Sequence, residues 1–369
     1  MWVGFAAYLG VLWQAPKLGR TVVWGLILVL VTGFAVAPVL LSHDVYSYVD
    51  YARLGVRHGL NPYVHPPLAA PGDPAYSDVT WTEATSAYGP LFTLLTYPLA
   101  WLPVGVAVAA LKAVAALSVL GIAALTARIA SWRGIDPLRA TAFVALNPLV
   151  LVHAIGGAHN DALTMLLAML AVAAILSQRE LAGGAALVAA IATKLSAAVL
   201  APFALVGVAT TSPPTGRFRS YAGRFRPVGR LLAGGAGAAL AVGIAAYLAF
   251  GWDWLHGFGL AGENQSRTSH MSIPITVARL TDLGPEGVRL AAAILFAALV
   301  IYLLIWTARG NDWIRAAAWA TFALLLASAW LLPWYLLWPL PLVAISRDRT
   351  LQLLTLALTA YQLGARIPL

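Results

Sequence analysis

Stretches of about twenty apolar residues recur along this chain, and no other feature limits its fold so strongly. A helix needs about twenty such residues to cross a hydrocarbon core of about 30 Å, and a backbone in lipid has to satisfy its own hydrogen bonds. Residues 21–41, 104–127, 140–156, 161–177, 231–250, 288–308 and 316–332 meet that requirement. Charged residues make up 10% of the chain, where a soluble domain carries about 25%. The sequence therefore predicts an all-α polytopic membrane protein. No polar stretch is long enough to bury a core of its own, so residues 1–369 read as one transmembrane domain with loops.

The net charge of +9 is distributed in a way that argues against nucleic acid as a partner. Lys17, Arg20, Arg128, Arg133, Arg139, Arg179, Arg309, Arg315, Arg347 and Arg349 all fall in short links between apolar runs. A further link, 209–230, holds five arginines from Arg217 to Arg230 and no acid. Basic links of this kind face the cytoplasm and touch anionic membrane lipid. The chain has no cysteine, which excludes disulfides, thiol catalysis and thiolate metal sites. Residues 1–13 are apolar but lack a basic leader and a cleavage site of small residues, so no removed signal peptide is expected.

With Lys17 and Arg20 inside, the run 21–41 delivers residues 42–103 to the outer surface as a first outer loop, and the run 231–250 delivers a second, 251–287. The apolar stretch 89–102 is short and carries Pro90 and Pro98, with Pro103 after it, so it reads as interfacial or re-entrant. If it crosses, every orientation up to residue 178 inverts. Residues 182–208 lie between two basic links, and a pair of half-length helices turning near Lys194 keeps both links on one side. The tail from "PWYLLWPLPL" (333–342) onward predicts two more short spans, for about nine full spans plus half-helices. There is no internal repeat of the kind transporters show. Under this topology ten of the fourteen acids face outward, so the chemistry is expected there.

The first outer loop opens with "SHDVYSYVDYARLGVRHGLNPYVHPP" (42–67). Asp44 stands three residues beyond the apolar run, where partial desolvation raises a carboxylate's pKa and makes it a better proton acceptor. His43 beside it either holds it or shares its charge; alternatively the two cap the helix that follows. Tyr46, Tyr48, Tyr51, Tyr63, Trp81 and Tyr88 form either an aromatic belt at the headgroup level or a stacking surface for sugar rings. In "GGAHND" (156–161), His159, Asn160 and Asp161 follow two glycines at the mouth of the bundle, where polar groups line a cavity or cap the next helix. Lys194 has apolar neighbours on both sides and either snorkels or meets an anion.

The second outer loop, "GLAGENQSRTSHMSIP" (259–274), gathers Glu263, Asn264, Gln265, Arg267 and His270 among small residues, as a loop that orders over a ligand does. His153, inside an apolar run, reads as a satisfied structural histidine. The histidines show no paired helical spacing such as HExxH, so no metal site is expected.

These segments resemble a known family. An outer loop opening on "HD", then "GLNPY" (59–63) and "YGPL" (88–91), resembles the GT-C fold of membrane glycosyltransferases that use lipid-phosphate sugars. More specifically, "ALNPLVLVHAIGGAHNDALTMLLAML" (145–170), "ATKLSAAVLAPF" (192–203) and "PWYLLWPLPL" resemble the actinobacterial polyprenol-phosphate-mannose-dependent α-1,6-mannosyltransferases. The resemblance implies a multi-pass plasma-membrane enzyme of cell-wall glycan or lipoglycan biosynthesis, with its active site on the extracytoplasmic side. It implies an inverting transfer of mannose from polyprenyl-phosphate-mannose to a glycan or glycolipid acceptor, with no further cofactor. Asp44 would be the general base, and His43, Tyr48, Asn61, Tyr63, Tyr88, His159, Asn160, Asp161, Lys194, Arg267, His270, Trp334 and Tyr335 would bind substrate. A related transferase moving arabinofuranose or glucose fits the same pattern, and a secondary transporter fits it less well.

Overall fold

The structure is a computed structural model that describes residues 2–211, 221–263, 266–281 and 283–365. Among these residues the regular elements are helices: α1 (Trp2–Val36), α2 (Asp44–Arg57), α3 (Pro90–Thr96), α4 (Val104–Trp132), α5 (Pro137–Ala145), α6 (Asp161–Leu176), α7 (Glu180–Thr193), α8 (Leu200–Thr211), α9 (Tyr221–Phe250), α10 (His256–Glu263), α11 (Ile273–Leu280), α12 (Pro285–Ala308), α13 (Trp313–Ala327), α14 (Leu340–Ala344) and α15 (Arg349–Gly364). Four are long and apolar enough to cross a membrane, namely Trp2–Val36, Val104–Trp132, Arg226–Phe250 and Pro285–Ala308. The chain is a polytopic membrane protein. Of the basic link 209–230, residues 212–220 lie outside the described residues, as do Asn264, Gln265 and Asp282; Tyr221–Arg230 already belong to α9.

Several boundaries differ from the sequence expectation, each for a local reason. The first apolar stretch is a helix broken at Gly19, whose φ of +77° suits glycine and interrupts helical geometry. In the first half, the Tyr8 hydroxyl donates to the Phe143 carbonyl and Arg139 donates to that of Leu12, so this half runs against α5. The second half returns toward the turn at Gly156, whose carbonyl accepts from the Leu40 amide. Helix ends at Val36 rather than at residue 41, because a residue ahead of Pro38 is driven out of the helical region. The expected span 140–156 is likewise two pieces, α5 and a wide π-type turn over Val150–Ile155, separated by Asn147-Pro148. Over 333–342 the three prolines leave a 3₁₀ turn, Pro333–Leu337, and one turn of α14 instead of a short span.

Other expectations hold. Residues 90–101 form α3 and a bent 3₁₀ turn, too short to cross. Helicity breaks at Lys194, which is extended (φ −157°, ψ 127°), between α7 and α8. Both half-helices start and finish at one end of the bundle: Glu180 lies 4.0 Å from Arg230, and Gly207 packs on the Trp313 ring. α7 packs on α6 and α9, while α8 packs on α12 and α13 and also touches α9. In lipid, where apolar side chains gain little by meeting one another, helix contact relies on close backbone approach. The α7–α9 contact uses it: a Cβ on Gly184 would collide with the Leu231 carbonyl, and one on Gly234 with that of Leu181.

Charged groups stitch the two ends differently. At one end Arg133 pairs with Asp312 and donates to the Ile345 carbonyl at 2.7 Å, while Arg315 and Trp319 both donate to Asp348 at 2.8 Å. Toward the other end Lys112 of α4 donates to the carbonyls of Ala37 and Pro38, which the end of α1 leaves without helical partners. That bond fixes the linker that leads to Asp44. The segment 42–103 is held by Arg53 of α2, which donates to Asp73 at 2.6 Å and to the Ala100 carbonyl at 3.1 Å.

Candidate active site

A cavity of about 590 Å³ opens between α2, the Lys194 break and the 328–338 segment. Asp44, Tyr48, Tyr51, Trp81, Tyr88, Lys194, Arg267, Trp330, Trp334, Tyr335 and Trp338 line it. Among the described residues its charged lining is thus one carboxylate and two cations, set among aromatic rings whose flat faces suit sugar.

Asp44 begins α2. His43 occupies the N-cap position but makes no side-chain capping bond, and its exposed ring packs edge-on against Tyr46 at 5.4 Å. Capping is therefore not what the His43-Asp44 pair does. The Trp81 indole donates to Asp44 Oδ1 at 3.1 Å, and His159 Nδ1 lies 3.7 Å from Oδ2. Burial raises the Asp44 pKa above the ordinary carboxylate range; the Trp81 bond and the nearby Lys194 charge oppose that rise, and Asp161 adds to it.

The "GGAHND" segment follows the π-type turn. Ala158 sits in left-handed backbone at φ +54°, and Asn160 makes no side-chain capping bond to α6. His159 is buried and stacked on Trp334, with ring centroids 3.7 Å apart and planes inclined by 16°. Asn160 is buried too, and its side-chain atoms have no hydrogen-bond partner among the described residues. Asp161 is fully buried and accepts from Lys194 Nζ at 2.8 Å on both oxygens, with the Trp338 indole donating to Oδ1. The ammonium also lies 5.0 Å from the Tyr335 ring centre and 5.5 Å from that of Trp338. Lys194 neither snorkels nor awaits an outside anion: an internal carboxylate already compensates it.

Arg267 reaches the cavity from the segment between α10 and α11, its guanidinium 4.9 Å from the Trp81 ring centre. The stretch 251–287 is partly helical and anchored. Ser269 donates to the Leu331 carbonyl at 2.7 Å, and Ser272 to that of Ser328 at 2.9 Å. Arg267 is the one cation of the lining that has no ion-pair partner within 4.0 Å among the described residues.

The sequence-predicted residues thus separate. Asp44, Tyr48, Tyr88, Lys194, Arg267, Trp334 and Tyr335 line the cavity, while His159, Asn160 and Asp161 lie just behind it. Asn61 and Tyr63 do not line it. Asn61 donates to the Phe250 carbonyl at 2.8 Å and to Asp253 at 3.0 Å, and the Tyr63 hydroxyl meets Tyr88 and Thr93, so both tie loops together. His43 is outside the lining, and the exposed His270 faces Arg279 at 3.3 Å. Trp338 and Trp330 are not among the residues the sequence points to, and Trp81 stands there only as one of the loop's aromatics. The spacing of Trp334 and Trp338, one helical turn apart in a Pro-rich segment, was the available signal for Trp338. Among the described residues no three His, Asp or Glu side chains cluster to hold a metal.

The sequence matches known proteins at both ends. The family described as alpha-(1->6)-mannopyranosyltransferase, N-terminal domain, matches residues 1–210, and the MptB C-terminal domain matches residues 270–363. Alpha-(1->6)-mannopyranosyltransferase A of Mycobacterium tuberculosis is 32% identical over 339 residues, covering 84% of this chain and 63% of that protein. The protein of the same name in Corynebacterium glutamicum is 31% identical over 172 residues, covering 45% of this chain and 35% of its own length. The chain thus spans less than two thirds of the curated relatives it matches.

Proposed function

We propose a function from one premise: the chain belongs to the alpha-(1->6)-mannopyranosyltransferase family. It is an inverting glycosyltransferase of GT-C type, with about nine crossings plus half-helices and the Asp44 end of the bundle on the extracytoplasmic side. The donor is polyprenyl-phosphate-mannose, and the acceptor is a mannose-bearing glycan or glycolipid that gains an α-1,6-linked residue. The observation that carries this reading is the placement of Asp44, a raised carboxylate on the wall of an aromatic cavity with one oxygen held by Trp81.

In the proposed reaction the acceptor oxygen attacks the anomeric carbon of mannose while Asp44 takes the hydroxyl proton. The bond from that carbon to the phosphate oxygen breaks, polyprenyl phosphate leaves with the electron pair, and a β-linked donor yields an α-glycoside. A phosphodiester oxygen leaves as a stable anion, so the leaving side needs positive charge rather than an acid. Arg267 supplies it, since Lys194 is compensated by Asp161 and has one remaining N–H to offer. Tyr48, Tyr88, Trp334 and Tyr335 pack against the sugar rings.

Purified protein in lipid nanodiscs, given polyprenyl-phosphate-mannose and a short α-mannoside, is expected to add mannose in α-1,6 linkage, read by mass spectrometry and NMR. Transfer from the arabinofuranosyl or glucosyl donor in its place would overturn the mannose assignment. Counterflow of sugar across liposomes with no transfer would overturn the enzyme itself.

A further inference from the structure

Behind Asp44 the backbone departs from regular helical geometry twice within a few residues. The turn over Val150–Ile155 is wide, with the Gly156 amide bonded to Leu151 and the His159 amide bonded to Ala154, both five residues back. Ala158 then takes a left-handed conformation at φ +54°, which an alanine adopts only where surroundings enforce it. Such insertions and strained residues concentrate where a side chain has to be aimed. The side chain aimed here is His159, clamped flat on Trp334 at 3.7 Å, 1% exposed, with Nδ1 3.7 Å from Asp44 Oδ2.

We infer that His159 is a positioning residue for the Asp44 carboxylate: its imidazole closes onto Oδ2 while the Trp81 indole holds Oδ1, leaving the carboxylate one orientation toward the acceptor hydroxyl. This rests on the assignment of Asp44 as the base. The separation of 3.7 Å is longer than a hydrogen bond, as base–orienter pairs often are before substrate tightens the site. His159 lies outside the cavity lining, so it touches the base and not the sugar. The other groups facing Asp44 do not substitute for it. Lys194 is turned to Asp161, the Tyr51 hydroxyl donates to the Ala84 carbonyl, and among the described residues the side-chain hydrogen bonds of Asp44 come from Trp81 and Ser42 rather than from Tyr48, Tyr88 or Tyr335.

The test is a cycle of His159→Phe, His159→Gln and Asp44→Asn with donor, acceptor and pH varied. His159→Phe keeps a ring on Trp334 and removes the nitrogen. It is expected to lower kcat about 10- to 100-fold with donor KM within about twofold, the cost of a misplaced reacting group. It should also move the acid limb of kcat/KM upward, because a carboxylate that loses a donor is harder to ionise. His159→Gln, which restores an N–H, should recover most of kcat and return the limb; if His159→Phe is not recovered folded, this variant's limb decides. His159→Phe added to Asp44→Asn should cost nothing more, since the two act as one unit. A raised donor KM at unchanged kcat, or a multiplicative loss in the double variant, would overturn the inference. Asp44→Asn retaining near-normal activity would instead sink the base assignment, a separate failure that the single variant reports alone.

Discussion

Asp44 and Asp161 are nearly matched by sequence and differ in what surrounds them. Each is the first residue of a helix, each follows a histidine closely, and each accepts a hydrogen bond from a tryptophan indole, Trp81 for one and Trp338 for the other. Asp161 has a lysine on both oxygens and no exposed surface. Among the described residues Asp44 has no Lys or Arg nitrogen within 4.0 Å, and its side chain, 16% exposed, lines the cavity. Position at a helix start therefore does not make a carboxylate reactive. A carboxylate whose charge is already answered is structural, and one left partly unanswered on a cavity wall is available to a proton.

The largest expected effect breaks that comparison on the Asp44 side. Asp44→Asn keeps the shape and removes the acceptor, so transfer should fall by roughly 10²–10⁴-fold while the protein folds and binds donor. Activity within about threefold of wild type would assign the base elsewhere.

The Asp161 side should respond in stability first. Lys194→Met leaves a fully buried carboxylate without its cation, a change that costs about 3 kcal/mol when the partner cannot reach water. Lys194→Met with Asp161→Leu removes both charges and should restore most of the thermal midpoint that the single variant loses. A single variant as stable as wild type would show that the pair is not what holds the α6–α7 contact near Lys194. The pairing also changes what Lys194 can teach about the donor: loss of activity in Lys194→Met alone reports broken packing as readily as a lost phosphate contact.

How much of this was legible follows the same division. The helical membrane class, the short α3 and the break at Lys194 follow from apolar run length, proline position and the charge of the links, all local quantities. Gly19 was less visible, since a glycine between two apolar runs reads equally as linker or as interior. The π-type turn at Val150–Ile155 has no sequence signal beyond the Asn147-Pro148 before it and the two glycines after it. Asp44 and Asp161 were both singled out, but their different partners come from residues 33 to 177 positions away, beyond any periodicity. Partners far along the chain likewise hid the scaffold role of Asn61 and Tyr63, which look like site residues because they sit in a polar, aromatic loop.

A smaller change sharpens the comparison without abolishing function. Trp81→Phe removes the indole bond to Asp44 and keeps an aromatic ring under Arg267. Burial already raises Asp44, and the bond opposes that, so its loss should raise the folded pKa further. The base works deprotonated, so the acid limb of kcat/KM should shift upward with the alkaline plateau little changed. A limb that stays put would mean that Trp81 does not bond Asp44 during turnover.

The smallest effect separates a raised pKa from a reactive position. Asp50 lies on the same helix as Asp44, is 1% exposed, and has no hydrogen-bond partner for either oxygen among the described residues. Burial, then repulsion from Asp73, lifts its pKa to about 7, with His58 and Arg53 pulling the other way. The sign follows from linkage: a carboxylate raised in the folded state favours folding while protonated, and that contribution is lost as pH rises from its ordinary value through about 7. Asp50→Asn, neutral at every pH, should therefore raise stability at pH 8 by about 1 kcal/mol, after allowing for water reaching the charged form, and change little at pH 4. Because Asp50 does not line the cavity, kcat should stay within about threefold. A loss comparable to that of Asp44→Asn would mean that desolvation, and not the cavity wall, selects the base, and the contrast between Asp44 and Asp161 would lose its meaning.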